Sequence, residues 1–132
     1  MTDLADFLLA RIAEDEDVAK AATAGPWRLG VDRDSNGMPT VESEISAVLT
    51  AGGEYCADLW LEADPNDLAH VIRWDPARVL AECESKRRIV TEGGGSSMLD
   101  VEGAADWEHE WTLQMLALPY AGHPDYREEW RV

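Results

Sequence analysis

The sequence predicts an α+β fold, with a small antiparallel two- to three-stranded sheet packed against N-terminal, central and C-terminal helices. Three observations lead there. Apolar residues recur at helical spacing near the start, middle and end of the chain; from Trp27 the period drops to two; and Gly-Pro, Asp-Pro and Gly-Gly-Gly punctuation separates the two kinds of segment. With 132 residues, 45% of them hydrophobic and six tryptophans, the chain is long enough for one domain, residues 1–132, and too apolar for full-length disorder.

The first helix is expected from residue 3 to about 23. Leu4, Phe7, Leu8 and Ile12 form one stripe, Thr2 or Asp3 can cap the start, and Gly25-Pro26 stops the run. Trp27, Leu29 and Val31 alternate with Arg28 and Gly30, the period of a half-buried strand, and Asp32 to Pro39 reads as a loop. Val41–Leu49 and Tyr55–Leu61, separated by Thr50 to Glu54, read as a hairpin.

Asp64-Pro65 and Asp75-Pro76 each place a capping carboxylate before a proline at the first helical position. They predict a short helix over about 65–73, a break at Trp74 or Asp75, and a longer helix over about 76–92. Residues 93–102, beginning Gly93-Gly94-Gly95-Ser96-Ser97, are expected to be a flexible loop. The last helix is expected from near Gly103 to Leu118, ended by Pro119, with Trp107, Trp111, Met115 and Leu118 on one face. Tyr120, Tyr126 and Trp130 give the tail enough apolar area to pack back onto the body.

The balance of 11 Lys+Arg against 27 Asp+Glu leaves a net charge of −16. Phosphate-backbone contacts are made by cations, so direct nucleic-acid binding is not expected. There is neither a long apolar span nor a basic leader with an apolar run, so no membrane partner and a cytoplasmic location are expected. Cys56 and Cys83 form no CxxC and have no nearby His pair, which reads as two buried thiols.

Several stretches resemble a family of small uncharacterised proteins, a domain of unknown function, from Streptomyces, other actinobacteria and their phages. They are the acidic run Glu14-Asp15-Glu16, the turn Gly25-Pro26-Trp27-Arg28, the segment from His70 to Glu82 with Trp74-Asp75-Pro76 at its centre and Glu84 to Ile89 after it, and the ending from Leu116 to Trp130. The resemblance implies an actinobacterial or phage cytoplasm and brings no activity with it. Members of that family often carry Cys and His between the central and final helices, which suggests a metal site; here Thr91–Trp111 holds His109 and no Cys.

No GxSxG, P-loop, HExxH or GxGxxG motif is present. His70, three residues after Asp67 and six after Asp64, offers the minimum for acid–base work or a weak metal site; a surface or capping histidine is the plainer reading. His109 lies between Glu108 and Glu110, which point away from it on a helix. The His123-Pro124-Asp125-Tyr126 turn reads as an anchor for the C-terminus, and Lys86-Arg87-Arg88 as cations near a helix end, where the dipole favours them.

The leading functional expectation is a non-enzymatic acidic protein, without a cofactor, that binds a host or regulatory protein by surface occlusion, the partner being basic. The partner-binding candidates are the acids Glu14, Asp15 and Asp17 with the aromatics Trp74 and Trp107. Core burial is the competing reading for the tryptophans, and a solvated surface for the acids. Two alternatives stand beside it: a small metal-dependent or acid–base enzyme centred on His70, and a nucleic-acid mimic that occupies a basic DNA-binding protein.

Overall fold

The computed structural model describes residues 3–31, 45–50, 55–58, 65–93 and 104–132. Four helices dominate it: α1 (Asp3–Ala21), α2 (Pro65–Arg73), α3 (Pro76–Glu92) and α4 (Ala104–Ala117). Three short strands, β1 (Trp27–Val31), β2 (Ile45–Thr50) and β3 (Tyr55–Asp58), run antiparallel in that order. Trp27 pairs with Thr50 and Leu49 with Tyr55, with a register irregularity in each pairing.

The α+β expectation is thereby corrected: the described chain is mostly helical. On the helices and in the C-terminal tail the buried apolar side chains include Leu4, Leu8, Ile12, Leu113 and Trp130. The physical reason is length. A two-residue period reports local strand geometry over a few residues, and it does not measure how much of the chain the longer helices take up.

Two compact units divide the chain, one formed by Met1–Glu16 with Glu82–Val132 and the other by Asp17–Ala81. In the first unit, Leu4, Phe7, Leu8 and Ile12 of α1 are buried, as their spacing predicts, together with Cys83 and Val90 of α3, Leu113 and Ala117 of α4, and Trp130. After α4 the chain tightens into a 3-10 turn, Leu118–Tyr120, with Pro119 inside it. Residues 121–131 then descend through successive i to i+3 backbone hydrogen bonds, among them His123 N–H to the Tyr120 carbonyl at 2.9 Å and Trp130 N–H to the Arg127 carbonyl at 3.0 Å.

In the second unit, α1 ends at Ala21, four residues before the Gly25–Pro26 peptide, which is cis. The Thr23 carbonyl accepts the Trp27 indole N–H at 2.9 Å, so the indole helps close this turn. The break between α2 and α3 falls at Trp74–Asp75. Buried Asp75 caps α3 through Oδ1, which accepts Arg78 N–H at 2.9 Å, while Oδ2 accepts Trp27 N–H at 2.7 Å. One carboxylate therefore fixes both the start of α3 and the entry to β1. Gly25 sits close by: a Cβ there would lie 2.9 Å from the Ala77 Cβ and 3.0 Å from Asp75 Oδ2, so only glycine fits.

The expected loop 93–102 falls, after Gly93, outside the described residues, as does the expected loop from Asp32 to Pro39.

Candidate functional site

Three of the four consecutive acids on α1 are engaged within their own unit. Glu14 accepts from Arg11 Nη2 at 2.8 Å, Asp15 accepts the Tyr120 hydroxyl at 2.6 Å, and Glu16 takes the Arg87 guanidinium through both oxygens at 2.9 and 3.3 Å. Asp17, in the second unit, is exposed. The run thus does two kinds of work: Glu14 keeps much of its surface in water, whereas Asp15 and Glu16 anchor the tail and α3.

Arg11 is the residue the sequence reading passed over. It is buried beside Phe7, one helical turn earlier, with its guanidinium 5.3 Å from that ring. Its Nη1 meets both ring nitrogens of His123, 2.7 Å from Nδ1, and Nδ1 also accepts Asp125 N–H at 3.1 Å. Phe7 is ringed by Tyr120, His123, Tyr126 and Trp130, with centroid separations of 5.1 to 6.4 Å. The signal was present: Arg11 sits on the apolar stripe, and a cation amid apolar positions needs a planar or anionic partner. These contacts dock the tail, and they leave His123 and Tyr126 as structural residues.

His70 is exposed, and its ring centroid lies 6.4 Å from that of Trp74. Trp74, 44% exposed, carries the Arg78 guanidinium on its face at 4.1 Å. Among the described residues no group of three or more His, Cys, Asp or Glu is placed to hold a metal ion. Asp64 lies outside the described residues. His109 packs against the end of α3, where a Cβ on Gly93 would come within 2.6 Å of its ring. Cys83 is buried, and desolvation, followed by the nearby Asp15 carboxylate, raises its thiol pKa, which makes it an inert core residue rather than a nucleophile.

On α4 the helix turns Leu113 and Ala117 inward and the aromatic stripe outward. Trp107 is 66% exposed, Trp111 48% and Met115 42%. The core reading of the two tryptophans is corrected, because only one arc of an amphipathic helix can face the core and here Leu113 and Ala117 occupy it. Glu108 and Glu110 lie between the two tryptophans in sequence, and α4 contains no Lys or Arg. Of the sequence candidates, Glu14, Asp15 and Trp107 belong to the first unit, and Asp17, His70 and Trp74 to the second.

Across residues 1–132 the chain matches the family of unknown function (DUF6221). The chain belongs to this family. No curated protein and no solved structure matches it. The family assigns neither an activity nor a ligand, so function rests on the surfaces just described. No described helix is long and apolar enough to cross a membrane.

Proposed function

We propose that this chain is a non-enzymatic binding protein of an actinobacterium or its phage, working in the cytoplasm by covering part of a host or regulatory protein. The observation that supports this reading is the outward stripe of Trp107, Trp111 and Met115 on α4. Two tryptophans one turn apart are the kind of large, rigid apolar side chain that anchors protein interfaces, and leaving them in water gains the isolated protein nothing. A net charge of −16 adds long-range attraction for a basic partner and speeds encounter. The mimicry reading draws less support, because Glu14, Asp15 and Glu16 each have a partner within the fold.

Affinity capture from a Streptomyces lysate tests the proposal, with the parent chain and its Trp107→Ala/Trp111→Ala variant as parallel baits, followed by direct binding of the purified candidate. The expected result is a protein retained by the parent, lost with the variant, and bound at least about tenfold more weakly by the variant in the purified system. Retention of the same proteins by both baits would remove α4 from the function.

A further inference from the structure

Trp107, Trp111 and Met115 lie at i, i+4 and i+8, a nearly straight apolar row about 12 Å long along α4. By helix geometry Glu108 and Glu110 flank that row on opposite sides, about 100° one way and about 60° the other way round the axis from Trp107. We infer that the row is the seat of a basic amphipathic helix of the partner protein, a refinement that rests on the binding function proposed above. A straight i, i+4, i+8 row accepts the side-chain row of a second helix lying alongside it. The partner's apolar residues then cover the two indoles, and Lys or Arg at its flanks meet Glu108 and Glu110. Charge selects against the other occupants. A second copy of this chain would bring another −16 and set each glutamate against its twin. An anionic membrane surface would meet acids where interfacial helices present Lys and Arg.

The test uses the full chain and three synthetic peptides of about five turns, roughly 18 residues. One is an amphipathic Leu/Lys helix, one has the same composition scrambled, and one is an amphipathic Leu/Gln helix without charge. Binding is followed by tryptophan emission and by titration calorimetry at low and physiological salt. The Leu/Lys helix is expected to bind about tenfold more tightly than its scrambled form, and Trp107→Ala/Trp111→Ala to abolish that advantage. Glu108→Gln/Glu110→Gln is expected to weaken it about fivefold at low salt and less at physiological salt. Trp107→Gln alone, at the most exposed of the three positions, repeats the measurement with the least disturbance to the fold. Equal affinity for the scrambled peptide, or affinity untouched by the tryptophan variants, overturns the inference. If the uncharged helix binds as tightly as the Leu/Lys helix and the tryptophan variants abolish both, the basic character of the partner is overturned, while the docking role of α4 stands.

Discussion

Asp15, Tyr120 and Asp75 show how single carboxylates and hydroxyls decide the local geometry. The Tyr120 hydroxyl donates to Asp15 at 2.6 Å, and burial, followed by this hydrogen bond, raises its pKa well above the usual value of 10. A raised folded-state pKa means the protonated phenol is the favoured form. Its contribution to stability is complete below pH 10 and is lost as pH climbs toward the raised value. Alkaline titration of the thermal midpoint should therefore show a decline beginning above about pH 10 that is shallower in Tyr120→Phe. Asp75 caps α3 and also holds Trp27 N–H. Asp75→Ala removes the cap and strands a buried donor, an expected loss of about 2 to 4 kcal/mol by denaturant unfolding. Asp75→Asn, which keeps an acceptor oxygen, should lose less. The Asp75 cap was legible as Asp-Pro at a helix start; its bond to Trp27 N–H was not, because nothing in a sequence brings residues 27 and 75 together.

At the scale of elements, the helices follow their signals closely, and it is on α4 that the buried face does not. The break at Trp74–Asp75 obeys the steric exclusion of the residue before proline from helical backbone, a rule of covalent geometry that needs no tertiary contact. The tail obeys a composition rule: its aromatics dock, with Trp130 packed beside Phe7 at 5.1 Å between centroids. Trp130→Ala is expected to lower stability by about 3 to 5 kcal/mol. Deleting residues 124–132 should lower the thermal midpoint at least as much, and an unchanged midpoint would mean that the aromatic ring around Phe7 contributes nothing. On α4 the opposite result is expected. Trp107→Ala should alter unfolding by less than about 1 kcal/mol, since that residue is largely in water, and half-covered Trp111 somewhat more, whereas Leu113→Ala should cost about 2 to 5 kcal/mol.

Over the whole molecule, charge and hydrophobic pattern act through different ranges. A net −16 on 132 residues sets up self-repulsion that counter-ions screen. Raising ionic strength from about 10 mM to 150 mM should therefore raise the thermal midpoint, by an amount that shrinks in Glu14→Gln/Asp17→Asn; a midpoint that falls instead would show that the internal ion pairs outweigh the repulsion. Sequence by itself determined what short-range rules govern: the apolar stripe of α1, the extents of α2 and α3 around Asp75-Pro76, the docking residues of the tail, and the excess of acid. Tertiary structure alone decided the rest. It made the described chain mostly helical where local periodicity suggested helices packed on a small sheet, paired Asp15 with Tyr120, Glu16 with Arg87 and Arg11 with His123, and turned Trp107 and Trp111 outward. Helical spacing states which residues share a face, but which of two apolar faces is buried depends on the packing partners that distant parts of the chain supply.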